Sequence, residues 1–189
     1  MDEIGFTFFD TAIGRCGIAW GGRGLVAVLL PEKTEAASRA RLLRRFPETR
    51  DAEPPPEIER VIDGIVALLA GERRDLSDVS VDMEHVPAFH RRVYEVARTI
   101  GPGSTLSYGE IAARLGEPRA AREVGEALGK NPFPVVVPCH RVLAAGGKLG
   151  GFSARGGVAT KLKLLKIEGA LAPEAPMLFD ELPRAVRRA

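Results

Sequence analysis

The spacing of apolar residues changes after residue 31, and that change sets the class of fold. Before it, three short runs, FTFF (6–9), RCGIAW (15–20) and GLVAVLLP (24–31), are separated by turns at Ile13-Gly14 and Gly21-Gly22. Short apolar runs punctuated by glycine read as strands of an antiparallel meander. After it, apolar residues recur at helical spacing. Residues 35–46 are rich in Ala, Leu and Arg, and 57–69 puts Ile58, Val61, Ile62, Ile65, Leu68 and Leu69 on one helical face. The segment DAEPPPE (51–57) divides these helices, because its three prolines remove backbone donors and fix φ. Gly71 suits the end of the second helix. Strands followed by helices imply an α+β protein.

Residues 72–87 are polar and end in His85-Val86-Pro87, which reads as a domain junction. Beyond it, Phe89, Val93, Val96, Ala97 and Ile100 form another helical face, closed by GPGS (101–104). The organisation expected is therefore an N-terminal α/β domain (1–85), a C-terminal domain (86–170) and a proline-containing surface extension (171–189). No internal repeat and no membrane-spanning run of apolar residues is present, and the acidic N-terminus does not read as a secretory signal. Cys16 and Cys139 lie far apart, so a disulfide framework is not expected and a reducing compartment, the cytoplasm, is. The three histidines and two cysteines show no zinc-ligand spacing.

The net charge of +2 is uninformative, but its distribution is not. Residues 1–81 carry 11 Lys/Arg against 14 Asp/Glu, whereas 82–170 carry 13 against 8. A polyanion would meet the second half, although a solvated basic surface has the same composition. Within it, residues 104–130 read STLSYGEIAARLGEPRAAREVGEALGK. Ser107 and Glu110 make a capping box for a helix over 108–115, Gly116 ends it, and Pro118 suits the first turn of a second helix reaching about 129. This is a helix-turn-helix pattern, shared by helical hairpins inside cores. The second helix carries Arg119 and Arg122 beside small residues Ala120, Ala121, Gly125 and Ala127. Such a surface fits close, weakly sequence-dependent contact, as in a minor groove, better than base reading in a major groove.

The reactive segment is NPFPVVVPCHRV (131–142). Asn131-Pro132 breaks the preceding helix, Val135, Val136 and Val137 make a β-branched buried run, and Pro138 starts a new element at Cys139. A thiol attacks as thiolate, which a nearby base or positive charge promotes, and Cys139 is followed at once by His140 and Arg141. Cys16 lies in a strand pattern and reads as a buried small hydrophobe.

SYGEIAARLG (107–116), RAAREVGEALGKNPFPVVVPCHRV (119–142), GG (156–157) and KLKLLKIEG (161–169) together closely resemble the O6-alkylguanine-DNA alkyltransferases, or methylated-DNA–protein-cysteine methyltransferases. The resemblance is specific over 89–169 and looser before, through IGRCGIAW and GLVAVLLPE. It implies a small ribonuclease-H-like N-terminal domain with an antiparallel sheet, and a mainly helical C-terminal domain with the helix-turn-helix. It implies DNA repair by single-turnover alkyl transfer from O6-alkylguanine, with O4-alkylthymine as the second candidate lesion, in duplex DNA. The protein would be a monomer in the cytoplasm, nucleoid-associated in a bacterium, with no metal or organic cofactor and no membrane partner.

Residue by residue, the resemblance makes Cys139 the acceptor, His140 a base acting through water, Glu168 its orienting carboxylate, and Asn131 the holder of the turn. Arg122 would enter the duplex in place of the extruded nucleotide, and Tyr108 would promote its rotation and bond the flipped base. The carbonyls of Cys139 and Val142 would accept from the guanine amino group, and the Ser153 amide would donate to O6. Arg119, Ala121, Arg141 and Phe152 complete the expected DNA and substrate contacts. A phosphate contact would serve as well for Arg122, a lysine partner for Glu168, and core packing for Tyr108. The loop GGFSARGG (150–157) departs from the family pattern: Phe152 lacks a tyrosine hydroxyl, and Ala154-Arg155 are additional. That leaves the Ser153 role and the tolerated alkyl size open, and Arg155 reads as one more phosphate contact. A non-catalytic lesion sensor, a helix-turn-helix regulator and a thiol hydrolase are the competing functions.

Overall fold

The computed structural model describes residues 4–171. β1 (Ile4–Thr11), β2 (Gly14–Gly21) and β3 (Gly24–Leu29) form the expected antiparallel meander. Gly24 follows the second turn at φ 115°, and a Cβ there would collide with the Ser80 carbonyl. Only glycine combines that conformation with so close an approach. One expectation is corrected: the sheet is mixed. β4 (Thr49–Asp51) pairs in parallel with β1, so the order is β3-β2-β1-β4. Its sequence TRD shows no apolar alternation. An edge strand this short is held by backbone pairing with β1, and the side-chain pattern carries no trace of it.

The sheet is covered on both faces. α1 (Glu35–Arg45), capped by the Thr34 side chain accepting from Ala37 N, lays Leu42 against Phe6, Ala19, Ala27 and Leu29. On the opposite face Cys16, Ile18, Trp20, Leu25 and Val28 join a larger core with α2 (Pro56–Leu69) and the helices that follow. Pro56 opens α2, where its missing N–H has no partner to lose. Gly71, as expected, closes it: Gly71 N bonds Leu68 O and Glu72 N bonds Ala67 O, both at 3.0 Å.

The C-terminal part contains α3 (Ala88–Arg98), β5 (Leu106–Ser107), α4 (Tyr108–Arg114), α5 (Ala121–Gly129), a 3₁₀ turn (Cys139–Arg141), β6 (Val142–Leu143) and α6 (Val158–Ile167). Tyr94 of α3 donates to Ala127 O of α5 at 2.9 Å inside this core. The helix-turn-helix pair is present with one boundary corrected. Residues 118–120 form a turn, and α5 starts at Ala121 with no side-chain cap, because Ala120 has none to offer. β5 and β6 pair in parallel over two residues each, placing the start of α4 beside the chain leaving the Cys139 turn.

One core runs through both halves of the chain. The polar 72–87 segment is laid along β3, with Leu25 N bonding Ser80 O at 2.9 Å and Asp82 N bonding Leu25 O at 2.7 Å. Further along β3, Val28 N bonds Pro132 O at 2.9 Å, so the sheet directly holds the loop ahead of Cys139. The expected surface extension lies outside the described residues apart from Leu171. Among the described residues no helix is long and apolar enough to cross a membrane.

The Ser107 capping box is complete, with Glu110 N donating to Ser107 Oγ at 3.1 Å and Ser107 N to Glu110 Oε2 at 2.6 Å. Ser107→Ala should therefore cost about 1 kcal/mol of stability, read as a lower urea midpoint at unchanged slope.

Candidate active site

The chain reaches Cys139 through a tightly tied loop. Asn131 clamps it twice: Nδ2 donates to Val137 O at 2.8 Å and Oδ1 accepts from Phe133 N at 2.9 Å. Val137 N bonds Phe133 O at 2.7 Å, and Cys139 N bonds Val137 O at 2.8 Å across Pro138, whose φ −79° and ψ 66° describe an inverse γ-turn. The valine run is buried as expected, but it forms turns around an isolated bridge between Pro134 and Val137. Val135 sits at φ 76°, a strained position for a β-branched residue. Burial of its side chain and the clamps around it hold it there.

Behind Cys139 lies a buried ionic node. His140 Nε2 is 2.8 Å from Glu168 Oε1, while Arg141 donates through Nε to Glu168 Oε2 at 2.7 Å and through Nη2 to Oε1 at 2.9 Å. Arg141 Nη1 also donates to Ile100 O. Glu168 caps the end of α6, and Gly169 at φ 66° closes the helix with Ala170 N bonding Leu165 O. Burial by itself would raise the Glu168 pKa, but the His140 and Arg141 hydrogen bonds and charges outweigh it and hold it at about 2. Burial pushes His140 below its ordinary value against the pull of Glu168, which favours the neutral ring. With Nε2 given to Glu168, Nδ1 is the accepting nitrogen; it is buried without a protein partner. Arg141, expected to contact DNA or substrate, is corrected: it is 5% exposed and wholly committed to Glu168 and Ile100 O.

Lys161 is the residue that sequence reasoning left out of the site. Considered there only as an alternative ion partner for Glu168, it is fully buried and donates to Val142 O at 2.5 Å. Its ammonium lies 5.7 Å from the Tyr108 ring centroid, and burial pulls it down to about 8 against the favourable field of Cys139. The signal was available, since Lys161 shares its helical stripe with Leu164, Leu165 and Glu168. Burial pushes the Cys139 thiol up, while the Asn131 amide, the Lys161 charge and the amides of Cys139 and His140 pull it down. Cys16 is buried, with its thiol pushed up to about 11 by burial, in keeping with a packing role.

Two cavities meet at Cys139. One, of about 490 Å³, lies between α4, α5 and the 151–153 segment and is lined by Tyr108, Ala121, Arg122, Cys139, Phe152 and Ser153. That size suits a small planar ligand. Gly150, at φ 67°, lies against the Tyr108 ring where a Cβ would come within 3.2 Å of it. The other, of about 70 Å³, opens between α1, β3 and the 152–155 loop. Arg155, read from the sequence as one more phosphate contact, lines this second cleft with Arg41 and Arg45. Arg122 is 90% exposed at the mouth of the first cavity, with Glu126 3.7 Å away. Arg119 faces a shallow surface with Glu117 and Glu123. The Cys139 carbonyl already accepts from Val142 N and the Val142 carbonyl from Lys161; each keeps a second lone pair. Among the described residues no cluster of His, Cys, Asp or Glu is placed to hold a metal.

Residues 88–170 match the family described as "6-O-methylguanine DNA methyltransferase, DNA binding domain". The chain is 38% identical over 154 residues to the methylated-DNA–protein-cysteine methyltransferase of Methanothermobacter thermautotrophicus, covering 81% of this chain and 78% of that one. It is 38% identical over 177 residues to that of Mycobacterium tuberculosis, covering 94% and 99%. A crystal structure of the M. tuberculosis O6-methylguanine methyltransferase superposes with a TM-score of 0.70 at 37% identity, covering 95% of this chain and 100% of that one. The M. tuberculosis protein in complex with DNA gives 0.71 at 35% identity, covering 88% and 93%.

The node makes a signed prediction. Glu168→Gln leaves Arg141 buried without its countercharge and should cost about 3–5 kcal/mol at neutral pH. The folded-state pKa of Glu168 is depressed, so its stabilisation is complete above about 4.5 and is lost as pH falls toward about 2. Denaturant titrations at pH 7 and pH 3 should show the parent losing more stability on acidification than the variant.

Proposed function

The chain belongs to the methylated-DNA–protein-cysteine methyltransferase family, and on that premise we propose how its own residues perform the reaction. Its function is repair of O6-methylguanine in DNA by methyl transfer to a protein cysteine, and it binds DNA. We assign the acceptor role to Cys139. The observation that carries this is its position at the base of a cavity rimmed by Tyr108 and Arg122 and backed by the His140–Glu168 pair.

An alkyl carbon stacked inside a duplex is out of reach of a sheltered sulfur, so the damaged nucleotide must rotate out, at a cost of a few kcal/mol. The small residues of α5 let its backbone approach the groove closely, with Arg119 near the phosphates. Arg122 enters the duplex and its planar guanidinium replaces part of the lost stacking. Tyr108 crowds the rotating phosphate and bonds the base inside the cavity. The base is held by the second lone pairs of the Cys139 and Val142 carbonyls and by the Ser153 amide. Phe152 and Ala121 supply the walls.

His140 Nδ1 takes the Cys139 proton through one water, and Glu168 holds the ring in the tautomer that allows it. Asn131 keeps the sulfur's turn in place. The Sγ–carbon bond forms as the carbon–O6 bond breaks, its electron pair passes to guanine, and the proton released by the thiol ends on guanine. The product thioether is stable, so each molecule acts once. The same chemistry extends to O4-alkylthymine. The working form is a monomer on lesion-bearing duplex DNA, in the cytoplasm, with residues 1–85 supporting the reactive part at 86–170.

Incubation with a duplex carrying O6-methylguanine should add the mass of one methyl group to the protein and stop at one equivalent, with no gain in Cys139→Ser. Repeated turnover would indicate a hydrolase, and binding without mass change a sensor or regulator. Arg122→Ala should slow single-turnover transfer by about tenfold, the equivalent of one weakened stacking contact.

A further inference from the structure

α5 turns Val124, Ala127 and Leu128 into the core and leaves Arg122 and Glu126 outside, with side chains 90% and 60% exposed. Residues four apart on a helix lie one above the other, so the two side chains share a stripe. Arg122 Nε stands 3.7 Å from Glu126 Oε1. That is beyond hydrogen-bond range, and a carboxylate C-terminal to its base is the weaker order for such a pair. An exposed contact of this kind adds little to the stability of the fold. Its importance lies in the group it holds. Arg122 lines the mouth of the cavity that contains Tyr108 and Cys139, and Glu126 is its one ion-pair partner among the described residues.

Glu126 has the wrong charge for a helix face that meets phosphates. Near a duplex its carboxylate is repelled unless a cation stays beside it. Pairing along the helix keeps the Arg122 guanidinium beside α5, and extending it into a base stack gives up that contact. The carboxylate is then left alone next to a polyanion. This loss falls on every insertion of Arg122, whereas only at a lesion does irreversible transfer to Cys139 follow.

Resting on the role proposed above for Arg122, we infer that Glu126 is a positioning residue for it: the carboxylate restrains the guanidinium beside α5 and limits how often intact base pairs are opened.

The test reads base opening directly, in an undamaged duplex containing 2-aminopurine, whose fluorescence rises when it leaves the stack. At saturating protein, Glu126→Gln should raise the opened fraction about two- to fivefold, the span expected for release of an exposed ion pair. Arg122→Ala should lose the signal, and Glu126→Gln in that background should add nothing. Glu123→Gln removes the same charge from α5 beside the shallow surface at Arg119, and should leave the signal at the parent level. An unchanged or lowered signal in Glu126→Gln overturns the inference. So does an equal rise in Glu123→Gln or in the Arg122→Ala background, since either would make Glu126 a general repulsion of phosphates. If Arg122→Ala alone keeps both the parent signal and the parent rate of transfer from O6-methylguanine, the stacking role of Arg122 fails first and carries the inference with it.

Discussion

Glu168 is a carboxylate 3% exposed at the side chain, and it is stable as an anion only because two cationic or donating groups close around it. Arg141 supplies a two-nitrogen fork and His140 one ring nitrogen. The first neutralises the buried charge; the second is thereby fixed in tautomer and orientation. Because Glu168 ends α6 and its partners lie in the 3₁₀ turn, this one interaction fastens the last helix to the turn bearing Cys139. Removing the carboxylate would strand a guanidinium in the core and free the imidazole to rotate. Stability and the proton transfer proposed for His140 therefore rest on the same atoms.

The other side of the turn is held by backbone. Asn131 ties both ends of the 131–137 loop, and β3 reaches across from the N-terminal sheet to bond Pro132. The strained φ of Val135 persists between these restraints. The N-terminal half thus does more than add bulk. Its third strand braces the reactive loop, and its first helix supplies a wall and two arginines of the cleft beyond the sulfur. The electrostatics around Cys139 are balanced in the same way: burial opposes the thiolate, while Lys161, Asn131 and two backbone amides favour it. In the mechanism we propose, a proton acceptor at His140 tips this balance when substrate arrives.

Much of the site was legible because its residues are adjacent or periodic in the chain. Cys139 and His140 are neighbours, Ser107 and Glu110 sit at capping-box spacing, and Gly71 and Gly116 mark helix ends through local backbone geometry. Three features escaped. β4 was missed because an edge strand of three polar residues is held by its neighbour's backbone. Arg141 was misassigned because a guanidinium beside a nucleophile looks like an anion contact until its carboxylate, 27 residues away, is seen to saturate it. Lys161 was weighed only as an ion partner for Glu168 because lysine is rarely buried, although its helical stripe placed it inward.

What the chain determined by itself is local: where strands yield to helices, where helices begin and end, and which thiol is flanked by a base. These follow from backbone sterics, capping and periodicity, which act over a few residues. What the tertiary structure decided is which charges meet in the absence of water and which spaces open beside the sulfur. Burial, countercharge and cavity volume depend on elements distant in sequence, here α1, β3, α5 and α6 converging on one turn. No local rule reports how much water such a convergence expels.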